Sequence, residues 1–501
     1  MVFPIGGGTQ STGFEIDGSY MIDDAGASGL ARFGNNSRDG NTFTIAFWVK
    51  RTKLGASQLV NSKVEDSGVN SFVFAFDSSD RIDIGGQPAS GSGAGGHRTV
   101  IKTNAVFRDP SAWYHMVYRQ DTTQGTAASR HILYINGTAT DNGTYAALDQ
   151  NVAFAYFYNA GSYPFAIAND ERDNSYGSFY IAEHHYTDGV SNGPDAFGET
   201  NDNGVWIPKE YTGSHGSYGH YLKFEQSGGG SGTTAIGGHD YTTGSSSTIG
   251  ADSSGNDNHF HIQGYGTEDN TVDTPTNNFA TLNPLTGGSR GTFSEGNVKV
   301  VVNMTNSVPY GQIEFGNFYV NKGKWYHEVK ATAVGGGGQV VFGWNERHED
   351  GSYTNGHNNL GSAGNVWYGD DGKFQDGSVS NTTAPNTYTD GDIIGIACDF
   401  DNKKFYAHKN GTYQSNGTGT GDPSNGTNGF SFTSAYNDFW TPWISKDSDN
   451  ASHSPTAEFN FGNPSFSISS GNADANGYGN FEYAVPTGFY SLCTKNLAEY
   501  G

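Results

Sequence analysis

The chain predicts an all-β protein built from two antiparallel β-sandwich, jelly-roll domains in tandem. Aromatic residues make up 14% of the chain while apolar residues of every kind reach only 34%, so large rings must build the core. The 73 glycines fall between short apolar runs, which suits tight turns between many strands rather than long helices. At 501 residues the chain exceeds what one core usually serves, so two lobes are expected.

The first lobe is expected over residues 10–225, after an N-terminal segment of residues 1–9. Phe43-Thr-Ile-Ala-Phe-Trp-Val-Lys alternates with period two and places Phe43, Ile45, Phe47 and Val49 on one face. Phe72-Val-Phe-Ala-Phe, Trp113-Tyr-His-Met-Val-Tyr and His131-Ile-Leu-Tyr-Ile continue the series. Shorter strands are expected at Phe165 to Ala168, Ser178 to Glu183 and His220 to Phe224, with a Gly/Ser/Ala loop from Gln87 to Gly96. Residues 226–296 turn Gly-, Ser- and Asn-rich and predict a linker, partly packed because Phe260, Ile262, Tyr265, Phe279 and Leu282 interrupt it. The second lobe is expected over residues 297–501, with strands beginning at Lys299, Lys324, Val340, Ile393 and Lys404. In the Ile393 strand, Ile394, Ile396, Cys398 and Phe400 share a face while Gly395 and Ala397 line the other, the pattern of a strand covered on both sides. A Trp-Tyr-His strand at Trp113 and Trp325, and a strand closing in Asn-Gly-Thr at Asn136 and Asn410, echo between the lobes as shared sandwich chemistry.

Charge narrows the partners. With 27 Lys and Arg against 51 Asp and Glu the net charge is −24, which repels phosphate backbones and anionic lipid, so neither nucleic acid nor membrane insertion is expected. The sequence has no long apolar run, and its start has neither the basic nor the apolar region of a secretory leader. Two cysteines, Cys398 and Cys493, cannot form a disulfide framework and point to folding in a reducing site. The tripeptides at Asn136, Asn142, Asn410, Asn416 and Asn425 read as hairpin turns needing positive φ rather than glycan acceptors.

Catalytic patterns are sparse. Glu15-Ile-Asp17 begins a glycanase-like alternation of acids but lacks the second Glu, leaving only pairs distant in sequence such as Glu183 with Asp188. Gly91-Ser-Gly-Ala-Gly is a glycine loop rather than a nucleophile elbow, and no Lys-Ser/Thr follows Gly335 to Gly338 as a phosphate loop requires. His259-Phe-His261 offers two imidazoles, too few for a metal alone, and reads as a solvated strand face. No cofactor is implied. Ca²⁺ is the one cation for which the turns at Asp252 to Asp257, Asp370-Asp371 and Asp399 to Asn402 offer hard oxygens, and local hydrogen bonding is the commoner use of such turns. Trp440 and Trp443 flank Pro442 in a loop-like stretch, where they either fill a core or interface or stack on a sugar. With Tyr353 and His357 of the long polar loop His348 to Leu360, they are the candidate ligand contacts. Thr412 to Asn428 is a second such loop.

The order of Phe43 to Lys50, Trp113-Tyr-His, Leu133-Tyr-Ile-Asn-Gly and Ser178-Phe-Tyr-Ile-Ala-Glu before Asp188-Gly resembles a laminin-G-like, concanavalin-type jelly roll. Gly323-Lys-Trp-Tyr-His-Glu-Val, Tyr388-Thr-Asp-Gly-Asp-Ile-Ile-Gly-Ile-Ala-Cys-Asp-Phe-Asp, Phe405-Tyr-Ala-His-Lys-Asn-Gly and Phe459-Asn-Phe-Gly resemble a SPRY domain. The join from Asp252 to Phe279 and the tail Gly488-Phe-Tyr-Ser-Leu-Cys-Thr-Lys-Asn-Leu resemble large marine bacteriophage proteins, in which such pairs are regarded as virion fibres, spikes or knobs. These resemblances imply binding and no enzyme: concanavalin-type folds often hold glycans, frequently with Ca²⁺, and SPRY domains bind through loops at one sandwich edge. The Gly/Asn-rich loops depart from eukaryotic SPRY proteins, so no peptide ligand carries over. The implied protein is a phage tail fibre, spike or head fibre, made in the host cytoplasm and carried in the virion. It would be a homo-oligomer, as trimeric fibres are, touching other virion proteins and host-surface glycan. A purely architectural capsid decoration or neck protein and a polysaccharide-degrading spike are the alternatives.

Overall fold

The computed structural model describes residues 13–501 apart from 25, 34–39, 64–71, 87–97, 153–163, 171–174, 237–238, 287–290, 303–312, 335–339, 347–363, 369–371, 377–378, 382–385, 434–438 and 447–453. The N-terminal segment 1–9 and the loop from Gln87 to Gly96 therefore lie outside the described residues. The chain divides into two compact units, with the boundary between Thr276 and Asn277. Both are β-sandwiches of mainly antiparallel sheets, and the α-helix among the described residues is Thr494–Tyr500. No helix among them is long and apolar enough to cross a membrane.

In the first unit, one sheet runs Thr138–Ala139, His131–Ile135, Trp113–Asp121, Thr42–Arg51, Phe179–Asp188, Ser19–Ile22, Asn270–Thr271, with His220–Leu222 also on Phe179–Asp188. The opposing sheet has ten strands, from Asn142–Tyr145 at one edge to Thr233–Ile236 at the other. Phe43, Ile45, Phe47 and Val49 all enter the core between them, as the alternation predicts. The core is largely aromatic, with Phe47 edge-on to Phe74 at 5.2 Å and Phe43 against Tyr118 and Tyr186. Thr44, Ala46, Trp48 and Lys50 fall on the outer face of the same strand.

The expected linker is folded structure, and the expectation is corrected on that point. Residues up to Thr276 belong to the first unit: His261–Gln263 pairs with Gly29–Arg32, Asn270–Thr271 pairs with Ser19–Ile22, and Ile249, Phe260 and Ile262 enter the core. The glycines there serve close approach rather than freedom, since a Cβ on Gly244 would lie 1.8 Å from the Phe260 carbonyl oxygen. Asp273 reaches the outer face, where its carboxylate takes the buried Lys50 ammonium at 2.7 Å and the Trp113 indole N–H at 3.1 Å. Residues from Asn277 belong to the second unit, where Ala280 and Leu282 are core and Gly291–Ser294 pairs with Lys299–Val302.

The second unit sets a nine-stranded sheet, centred on Lys324–Ala333 and Ile393–Asp399, against a six-stranded one containing Val340–Glu346 and Trp440–Lys446. Ile394, Ile396, Cys398 and Phe400 face the core. On the other face, Gly395 leaves room for the His408 ring, where a Cβ would come within 1.9 Å of its Nε2. His408 pairs with the Tyr326 hydroxyl at 2.8 Å, and that hydroxyl donates to Glu328 at 3.0 Å. Glu328 also accepts the backbone N–H groups of Glu482 and Tyr483 and the Asn460 amide, so burial of this carboxyl is matched by four donors. The C-terminal helix is fastened through Asp474, which accepts from the Ser491 N–H and hydroxyl and the Asn496 amide.

The echo between the lobes separates into a shared part and an unshared one. Asn136-Gly137 and Asn410-Gly411 both take positive φ in two-residue hairpins, and each Asn side chain accepts a backbone N–H, from His115 and Ile393. The Trp-Tyr-His strands, by contrast, lie in opposite phase. Tyr114 leans on the first core while Trp113 and His115 face outward, whereas Trp325 joins the second core and Tyr326 faces outward. A one-residue change of phase turns every side chain to the other face.

Candidate functional site

The sequence-predicted ligand contacts do not assemble. Tyr353 and His357 lie outside the described residues. Trp440 and Trp443 are fully buried in a strand paired on both sides, so the core is the use they serve, and their candidacy as ligand contacts and the loop-like reading of the stretch are corrected. Pro442 suggested a loop because proline cannot donate to a ladder. Its carbonyl accepts from Gly316 just past the end of Ile313–Phe315, so its missing N–H falls where the neighbouring strand has stopped.

At the described Asp-rich turns the Asp252 and Asp399 carboxylates already have partners. The Asp252 carboxylate already accepts from the N–H groups of Tyr221, Ser254 and Asn258, and Asp399 holds Asn402 and Lys324. Asp370 and Asp371 are outside the described residues, and among those described no group of three or more acids, His or Cys could hold a metal. His259 and His261 each accept a backbone N–H, from Asp252 and Gly244. Both cysteines are buried free thiols whose pKa burial raises.

Polar chemistry concentrates instead on the outer face of the first unit's sheet. Register sets neighbouring rows there: Trp48 lies beside Ala182 and His115, and Ala46 beside His185 and Val117. A β-bulge between Ala182 and His185 puts Glu183 at φ 50° and breaks the alternation. It shifts the phase by one residue and so decides which of two consecutive histidines points inward. His184 turns into the core, stacked on Phe47 and His220 and bonded to Asn61, while His185 stays outside.

Segments distant in sequence then close over His185. Its Nδ1 pairs with His215 Nε2 at 3.1 Å, its ring stacks on Tyr221 with centroids 4.1 Å apart, and Phe197 and Tyr211 pack against it at 5.1 and 5.7 Å. The Tyr221 hydroxyl donates to Glu183 Oε2 at 2.5 Å, and His185 Nε2 stands 3.7 Å from the same oxygen. One row along, His115 stacks on Trp48 with centroids 4.7 Å apart and accepts the Trp206 indole N–H at 3.0 Å. Trp113, Tyr134, Trp206, Tyr211, His215 and Tyr221 are half-buried, so the band presents rings at the surface.

Burial sets the protonation of this cluster. It pushes Glu183 up to about 7, aided by Asp17 and Glu210 and opposed by Tyr221 and Lys223. It holds His115 and His185 down at about 3 and His215 at about 4, so all three are neutral at pH 7. The groups nearest the Glu183 carboxyl are a phenol and an imidazole, while the carboxyls of Asp17 and Glu210 act on it electrostatically.

Replacing this one carboxyl gives a signed test. Because its folded pKa lies above the unfolded value, Glu183 costs stability as pH rises from about 4.5 through 7. Glu183→Gln, which can still accept from Tyr221, is expected to stabilise the protein by about 2 kcal/mol at pH 8 and by little at pH 5. Urea unfolding at the two pH values checks this, and equal effects at both would sink it.

Sequence reasoning reached Glu183 only as a distant acid and missed His185, Trp206, His215 and Tyr221. The available signal was His184-His185-Tyr186, polar rings continuing a strand that was expected to stop at Glu183 but runs to Asp188.

Residues 24–190 match the family described as the Concanavalin A-like lectin/glucanases superfamily. No curated protein matches the chain. Similar solved structures include the SPRY domain of human HERC1, at 12% identity over 33% of this chain and 89% of that one, with TM-score 0.26. A Bacteroides ovatus protein described as carbohydrate binding shares 12% identity over 50% of this chain and 58% of its own, with TM-score 0.29. A heptameric SAP-like pentraxin from Limulus polyphemus shares 14% over 37% and 75%, with TM-score 0.23.

Proposed function

We propose that this chain is a carbohydrate-binding structural protein of a bacteriophage particle, attaching it to host-surface glycan through the outer face of the first unit. The observation that carries the glycan part is the band of half-buried rings around Glu183, on a jelly roll whose residues 24–190 match a lectin/glucanase superfamily. Sugar rings stack their apolar faces on such side chains while their hydroxyls donate to a carboxylate. The particle part is supported by the sequence resemblance of the join from Asp252 to Phe279 and of the tail from Gly488 to Leu497. On this reading the chain is a virion component and a homo-oligomer, with three copies as in fibres.

Trp206→Ala and Tyr211→Ala are each expected to weaken binding to a glycan-array hit by about tenfold, the usual effect of deleting a ring at a binding hot spot. Unchanged affinity in both would remove the face from the reading. Cryo-EM of intact particles is expected to place the chain at a fibre or tail tip. Density lying flat on the capsid, with this face buried against other subunits, would favour the architectural alternative.

A further inference from the structure

We infer that this face selects its glycan by charge, holding uncharged sugars and rejecting uronates, sialates and sulfated sugars, with Glu183 as the specificity-determining residue. The inference rests on the glycan reading and adds the class of ligand.

Three observations carry it. First, Glu183 Oε2 is occupied by Tyr221, but Oε1 has no hydrogen-bond partner among the described residues. An ionised carboxylate only accepts, so this open oxygen suits a sugar hydroxyl and opposes a second carboxylate or a sulfate. Second, the surroundings are acidic. Asp17 and Glu210 act electrostatically on Glu183, Glu225 on Tyr221, and Asp252 on His215. The nearby cations are engaged: Lys223 with Glu225 at 3.5 Å and over the Tyr221 ring, Lys209 with Glu199 at 3.9 Å, and Arg119 with the Tyr134 and Ser191 hydroxyls at 3.2 and 3.3 Å. Third, Glu183 is kept in a left-handed backbone conformation that a non-glycine residue adopts at a cost, and a bulge aims it outward among the rings. A carboxyl placed for packing alone would need neither. Like charges at a part-buried site are poorly screened, so the discrimination survives ordinary salt.

The test begins with an array of neutral and anionic oligosaccharides at pH 8, where Glu183 is ionised. Hits are expected among the neutral sugars. Calorimetry then compares the best neutral hit with its carboxylated counterpart, which is expected to bind at least about tenfold more weakly. Glu183→Gln should shrink that ratio severalfold, lowering the pH to 5.5 should do the same to the wild type, and Lys223→Met should widen it. Melting curves establish that the variants are folded. Anionic sugars bound as tightly as neutral ones, or a ratio unmoved by Glu183→Gln and by pH, would overturn the inference while leaving glycan binding in place. An array blank for both classes would overturn the glycan reading and this inference with it.

Discussion

Acidification from pH 7 to 4 is expected to unfold the first unit. His115, His184 and His185 are fully buried and neutral, with pKa values held near 3 by burial, and His131 is held near 4. In the unfolded chain each protonates near 6.5. The unfolded state therefore binds more protons below that value, and the stability these residues contribute is complete above about 6.5 and lost as pH falls toward 3. Each fully buried imidazole costs on the order of 3 kcal/mol by pH 4, against the roughly 5–15 kcal/mol that stabilises a whole domain. Glu183 has the opposite sign and gains as pH falls from about 7 to 4.5, which offsets one imidazole and not three. Thermal unfolding from pH 8 to 4 measures the slope. A melting temperature flat across that range would show that these rings are not buried neutral. The paired change His184→Phe and His220→Phe, which fills the same stacked space among Phe47, Phe165 and Phe260, should flatten part of the dependence.

Asp273→Ala is expected to destabilise the first unit by about 3–5 kcal/mol, the usual cost of leaving one member of a buried ion pair uncompensated. Lys50 is fully buried in the central strand, and Asp273 takes its ammonium and the Trp113 indole together. The double change Lys50→Met with Asp273→Leu should recover much of the loss, because an apolar pair of similar volume needs no compensation. Urea unfolding of the three variants decides it. A loss below about 1 kcal/mol for Asp273→Ala would mean that the segment is held no more firmly than the partly packed linker its composition suggested.

The strands that could be read in the sequence were those whose alternation is strict. Phe43 to Val49 and Ile394 to Phe400 bury the residues that period two assigns them. The Asn-Gly hairpins were equally legible, because positive φ at Asn136 and Asn410 is a local requirement. In the segment from 226 to 276 the packing of Phe260 and Ile262 was legible from their apolarity, but its place inside the first unit was not, because glycine signals flexibility and close backbone approach with the same letter. Gly244 takes its meaning only from the Phe260 carbonyl sixteen residues later. The stretch around Trp440 and Trp443 reads as loop-like, leaving core and ligand contact both open, because the strand rule for proline holds only where a neighbouring strand needs its N–H.

The site shows the same division. Glu183 was singled out only as an acid paired with the distant Asp188, and nothing in the spacing of His185, Trp206, His215 and Tyr221 joins them to it. What the sequence by itself determined is the all-β sandwich character, the faces of its regular strands, its acidic charge and its hairpin turns, since each follows from period, composition or local backbone preference. What only the tertiary structure decided is where the units divide, which tryptophans are interior, and that a bulge sends His184 inward while leaving His185 beside Glu183 and Tyr221. Those depend on which backbone passes against which, a relation between residues far apart in the chain that no local pattern encodes.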